Sequence, residues 1–245
     1  MLEFQPNHYL QQLQPLRIPA GWTIGWNTFQ AIEIPPDGFA GSSLLYLLRH
    51  DRRLVIDVEW RPEFDPNGHY HAYVQRNPLP TDESPNDDTL DSSESRSRET
   101  IVAWLETWLT RGLSETPPPD TPQPPPDHLH PLRIASGWTL QHNLLTETAP
   151  TTAPDFLFRA LAEQRRFRLD VLHVPSPHAR PTYIIELLYA PWPRTDRGRR
   201  RHDLPLKFDW TSLLMHRFVT TNYADLIRHI EAWLWRASSW AVEGH

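Results

Sequence analysis

Asp57 and Glu59 lie two apart in a stretch where Leu54, Ile56, Val58 and Trp60 alternate with Arg53, Val55, Asp57 and Glu59. A period of two is that of a half-buried strand, so both carboxyls share its outward face, with Asp51 and Asp65 at the strand's ends. Paired carboxyls do acid–base work when their surroundings drive their pKa values apart. Nine residues past Trp60, His69-Tyr70-His71 sets two imidazoles on one strand face, a spacing that suits a metal. Spacing supplies no third ligand, and a solvated strand face is the simpler account. Arg197-Gly198-Arg199-Arg200-Arg201-His202 could touch phosphates, but it lacks interleaved aromatics in a chain of net charge −6. Dinucleotide-binding and Walker-type glycine loops, a Gly-x-Ser-x-Gly elbow and His-Glu-x-x-His are all missing, and 9 glycines leave little material for phosphate cradles. These residues therefore assign no catalytic role, no metal and no cofactor.

The elements around these residues occur twice. Pro15-Leu16-Arg17-Ile18-Pro19-Ala20-Gly21-Trp22-Thr23 returns as Pro131-Leu132-Arg133-Ile134-Ala135-Ser136-Gly137-Trp138-Thr139, and Asn27 and Asn143 keep the same offset of 116. Asp51 to Val58 echoes Gln164 to Val171 at an offset of 113, which aligns Asp57 with Asp170 and Tyr70 with Tyr183. Ile101 to Leu109 matches Leu226 to Leu234 at an offset of 125. A period this long exceeds solenoid repeats and indicates a duplicated domain. Glu59 becomes Leu172, and His69 and His71 become Thr182 and Ile184, so the chemistry-bearing residues are not duplicated with the scaffold. Arg53 and Arg166 stand four residues before the matched aspartates, and a structural ion pair or a cross-strand partner is the expected role there.

The division expected is 1–115, a proline-rich spacer over 116–127, and 128–245. Residues 1–115 carry 9 arginines against 17 acidic residues, a balance of −8; residues 128–245 balance at +4. The first copy should repel nucleic acid and attract a basic partner. With no cysteines, disulfide and thiolate chemistry are excluded. Neither a secretory signal nor an apolar run long enough for a membrane span is visible, so a cytoplasmic location with no membrane partner is expected.

Within each copy, patterning predicts strands around 54–60 and 69–76, and around 167–171 and 182–189, joined as hairpins. Leu44 to Leu48 could be strand or helix. Residues 78–96 read as a loop, although Thr89 to Ser95 occupies the place of the strand expected over Leu213 to Thr220. Ser97 and Asn222 should cap the closing helices, with Asp225 completing a capping box. The fold class expected is α+β: two tandem copies of a small antiparallel sheet, each closed by a C-terminal helix.

Ile18-Pro19-Ala20-Gly21-Trp22-Thr23, Asn27-x-Phe29, Asp57-x-Glu59-Trp60-x-Pro62-Glu63-x-Asp65-Pro66-x-Gly68-x-Tyr70, Ser95-Arg96-Ser97 and the Trp/Leu helix together resemble immunity proteins of bacterial polymorphic-toxin and contact-dependent antagonism systems. The likeness spans residues 18–108 and fades in the second copy, where Gly137-Trp138-Thr139, Asn143 and Asp170 remain. It implies a small protein that binds a toxin domain and blocks it without catalysis. The expected contact residues are Asp57, Glu59, Asp65, His69 and His71, with Asp82, Glu83, Asp87 and Asp88 of the acidic loop. An adaptor or secretion-chaperone-like carrier of an effector is the alternative; a metal-dependent hydrolase using Asp57, Glu59, His69 and His71 is the third.

Overall fold

A computed structural model describes residues 12–31, 43–76, 89–111, 128–148, 156–176, 180–191 and 212–239. The first half contains β1 (Thr23–Asn27), β2 (Ser43–Arg49), β3 (Leu54–Arg61), β4 (His69–Arg76), β5 (Thr89–Ser95) and α1 (Arg98–Arg111). The second contains β6 (Trp138–Asn143), β7 (Phe156–Ala162), β8 (Phe167–Val174), β9 (Thr182–Tyr189), β10 (Leu213–Thr220) and α2 (Tyr223–Ser239). All pairings are antiparallel, and the strands form one sheet in the order β10-β9-β8-β7-β6-β1-β2-β3-β4-β5.

This corrects the expectation of two separate small sheets. Each half is a five-stranded meander with a helix, but the two meanders fuse edge to edge through β1 and β6. The duplicated motif builds the joint. Thr23 pairs with its own counterpart Thr139, their hydroxyls 2.8 Å apart on the local two-fold axis. Leu16 and Leu132 exchange backbone hydrogen bonds of 3.1 and 3.0 Å. Asn27 Nδ2 donates to Ile134 O at 2.8 Å, and Asn143 Nδ2 to Ile18 O at 2.9 Å. Each asparagine also accepts, through Oδ1, the backbone N–H two residues ahead. Buried amides satisfied this way fix a register, because an unpaired one costs about 1–3 kcal/mol. Gly21 and Gly137 turn the chain into the seam at φ +96° and +87°, a region open to glycine, and an added Cβ would lie 3.3 Å from Arg49 and 2.8 Å from Arg165.

Both helices cover the same face. Alternate strand residues Ile56, Val58 and Trp60, with Leu169 and Val171 in the second half, join Ile101, Leu105, Leu109, Leu226, Ile230 and Leu234 in one core that runs across the seam. Each helix is tied to its half's arm by a matched glutamate: Glu106 accepts the Arg17 backbone N–H at 3.1 Å, and Glu231 that of Arg133 at 2.8 Å. Burial pushes the Glu231 carboxyl above its ordinary range. Ser97 Oγ caps α1 by accepting from Thr100 N at 3.2 Å. Asn222 Oδ1 caps α2 by accepting from Ala224 N and Asp225 N. The expected capping box is incomplete: Asn222 N donates to Thr220 Oγ1, and Asp225 pairs with Arg228.

Residues 78–96 differ from the expected loop, since Thr89–Ser95 is the edge strand β5. Its Asp91 carboxylate accepts a 2.8 Å hydrogen bond from Trp108 Nε1 of α1. An edge strand that meets its helix through a polar contact needs no apolar period, and so carries no pattern to detect. The proposed spacer over 116–127 and the basic segment 197–202 lie outside the described residues. No helix among the described residues is long and apolar enough to cross a membrane.

Candidate functional site

The second face of the sheet carries no helix among the described residues, and the outward residues of all ten strands meet on it. In the first half, antiparallel register places Trp26 beside Tyr46, Tyr46 beside Asp57, and Asp57 beside Tyr73. One step along, Ser43 faces Glu59, Glu59 faces His71, and His71 faces Glu94 of β5. The hairpin that carries these residues is set by Gly68. A Cβ there would come within 2.6 Å of Trp60 Nε1 and 2.7 Å of Arg61 O, so only glycine closes the turn.

Asp57 is buried, and no cation reaches its carboxylate among the described contacts. Ser43 Oγ donates to its Oδ1 at 3.3 Å, while Tyr73 Oη lies 3.3 Å from Asp57 Oδ2 and 3.2 Å from Glu59 Oε1. One phenol proton serves only one of those two carboxylates at a time. Burial first, and the nearby Glu59 charge second, push the Asp57 carboxyl up to about 6. Burial next to Asp57 and Glu59 likewise drives the Tyr73 phenol above its ordinary range. Among the described residues Glu59 has one arginine on it, Arg61, whose Nε donates at 2.6 Å, but that guanidinium is half exposed. Beyond Glu59 the face opens into a recess of about 640 Å³ lined by Glu59, Arg61, Pro62, Glu63, His69 and Glu94.

The sequence-selected residues divide accordingly. Asp57, Glu59, His69 and His71 come together on this face, and both imidazoles turn to Glu94, each Nε2 3.7 Å from one of its oxygens. Asp65 is a turn residue instead: its Oδ1 accepts from Asn67 N at 2.8 Å, and its carbonyl accepts from Trp60 Nε1 at 2.8 Å. Asp82, Glu83, Asp87 and Asp88 lie outside the described residues. No group of three or more His, Asp or Glu side chains suited to a metal occurs among the described residues. Ser43, Tyr46, Tyr73 and Glu94 were not selected from sequence. The hairpin register would have found Tyr73, because the turn between Arg61 and His69 fixes it opposite Asp57.

The pairing expected of Arg53 and Arg166 with these aspartates is corrected, while Asp170 does take a cross-strand partner, Arg159. Arg53 and Arg166 adopt positive φ angles of 55° and 60° in the tight turns before β3 and β8, which takes their side chains off the strand's alternation. Arg166 Nε instead donates to Ala190 O at 2.6 Å. Asp170, the counterpart of Asp57, is held by different arginines. Arg159 grips it with two bonds, Nε to Oδ1 at 2.8 Å and Nη2 to Oδ2 at 3.0 Å, and Arg168 Nε lies 3.0 Å from Oδ2. The positions of Arg159 and Arg168 are Tyr46 and Val55 in the first half.

Chemically, the first half's face offers two carboxylates that share one phenol, two imidazoles, a half-exposed tryptophan at Trp26 and an open recess. A face of this kind can hold a proton near neutrality or accept a cationic group. Comparison with protein-family models, curated proteins and solved structures returned no match.

Proposed function

We propose that this chain is a cytoplasmic binding protein of the immunity type, which holds a basic toxin domain on the open sheet face of its first half and blocks it without catalysis. The observation that carries this reading is the face itself: a ten-stranded sheet with its helices on one side and none on the other among the described residues, whose first half presents a buried carboxylate, Asp57, that no cation reaches there. Supporting it are the resemblance over residues 18–108 and the −8 balance of residues 1–115. Acidic surface speeds encounter with a basic partner, and an exposed aromatic such as Trp26 supplies an anchor that buries on contact.

Co-expression in bacteria with the toxic domain encoded beside its gene tests the proposal. The two proteins co-purify and the cells survive if it is correct. Co-purification without survival favours a carrier of effectors, and neither result leaves the reading without support.

A further inference from the structure

The duplication supplies an internal control for what Asp57 binds. Asp57 and Asp170 occupy the same position of the same strand, face the same way and are both buried. In the second half that carboxylate is closed within the chain by the paired bonds of Arg159 and by Arg168. In the first half the Arg159 position, directly across β2 from the carboxylate, is Tyr46, and the Arg168 position is Val55. Glu59 adds a second carboxylate where the second half has Leu172, and Tyr73 replaces Glu186. The first half thus keeps one acid next to the conserved aspartate, Glu59 in place of Glu186, but has neither of the arginines; the recess opens at Glu59, whose one arginine among the described residues is the half-exposed Arg61.

We propose that a guanidinium of the partner protein enters this recess and docks on Glu59, reaching toward the buried Asp57 behind it, and so supplies from outside what Arg159 supplies to Asp170 from within. The inference rests on the binding role proposed above and names the chemistry of the group recognised. A guanidinium suits the place better than an ammonium. Its planar fork can span two carboxylates, and it is the more weakly hydrated cation, so it enters a half-buried site at lower cost. Tyr46 lies across from Asp57 and Trp26 beside Tyr46 on the same face, and both offer ring surface to a guanidinium plane.

The test uses the full chain and a probe of one positive charge, N-acetyl-arginine amide, followed by carboxyl-carbon and tyrosine-ring NMR. N-acetyl-lysine amide is the comparison. The expected result is saturable movement of the Asp57, Glu59 and Tyr73 signals, with the arginine probe binding several-fold more tightly than the lysine probe. Tyr46→Arg, which installs the cation in cis, and the milder Glu59→Gln should each weaken binding about tenfold. Thr107→Arg, which adds the same charge on α1, should leave it unchanged. Equal weakening by Thr107→Arg, equal response of Asp170, or movement without saturation each overturns the inference. Since no partner protein is involved, these outcomes are separate from those of the co-expression experiment.

Discussion

Asp57 and Asp170 are one residue in two circumstances. Asp170 sits in a closed ladder: Arg159 and Arg168 hold it, Arg217 lies 3.5 Å from neighbouring Glu186, and Leu172 and Ile184 fill the flanks. Asp57 sits among a serine, a phenol and a second carboxylate, Glu59, which lines a recess. The scaffold beneath is shared to the level of individual hydrogen bonds, as the paired asparagines and glutamates show. The lesson is that the duplicated residues hold the sheet together, while the outward residues have diverged: the second half's aspartate is held by arginines and the first half's is met by none among the described contacts.

The largest test of the shared scaffold concerns its tryptophans. Trp22 and Trp138 are both fully buried, but Trp138 Nε1 donates to Leu234 O and Ser238 Oγ at 2.9 and 2.8 Å, and Trp22 Nε1 is buried with no partner. In denaturant unfolding, Trp22→Ala should cost about 3–4 kcal/mol and Trp138→Ala about 1 kcal/mol more, for its lost hydrogen bonds. Equal costs would show that the two anchors are interchangeable.

The next effect should differ in sign between the halves. Asp170→Asn strips two guanidinium groups of their counter-charge and should destabilise by about 1–3 kcal/mol. Asp57→Asn removes a buried charge that has no cation, and at pH 7.5 it should be neutral or stabilising by up to about 1 kcal/mol. Chemical denaturation of both variants at that pH decides the matter. Destabilisation of similar size in both would break the comparison.

A smaller, pH-dependent effect sharpens it. The Asp57 carboxyl is raised in the folded chain from 3.8 to about 6, so the native state holds a proton that the unfolded state has released between those values. The stabilisation is complete below about pH 4 and is lost as pH rises through about 6. Glu59, Tyr73, Ser43 and Tyr46 are the polar groups that face this carboxyl from β2, β3 and β4. Wild type should therefore lose on the order of 1–2 kcal/mol relative to Asp57→Asn between pH 4 and 7, measured as the difference of two unfolding curves. A gap that widens in the opposite direction would show that Asp57 is stabilised as an anion.

Much of each half was legible in the sequence because burial on one side writes a period. The hairpins β3–β4 and β8–β9 and both closing helices follow from that pattern. The seam was not legible, since an antiparallel edge pairing leaves no signature in either strand alone. One signal did exist: the stretch from Pro15 to Asn27 repeats as Pro131 to Asn143 with no insertion, whereas other matches drift to offsets of 113 and 125. Residues that bond to their own counterparts, as Thr23 does to Thr139, tolerate no change of spacing. At the candidate site, Asp57 and Glu59 were visible as one face of a strand. Tyr73 and Ser43 lie on neighbouring strands and become neighbours only through register. The Arg53 and Arg166 pairing failed because periodicity says nothing about the backbone of a turn.

Protection of cells co-expressing the adjacent toxic domain, compared between wild type and the double variant Asp57→Asn/Glu59→Gln, tests most directly whether the first half's open face is the binding surface. The account predicts survival with wild type, survival with Val219→Ser on the second half's open face, and loss of protection in the double variant while its folded structure persists by circular dichroism. Full protection by the double variant would contradict it.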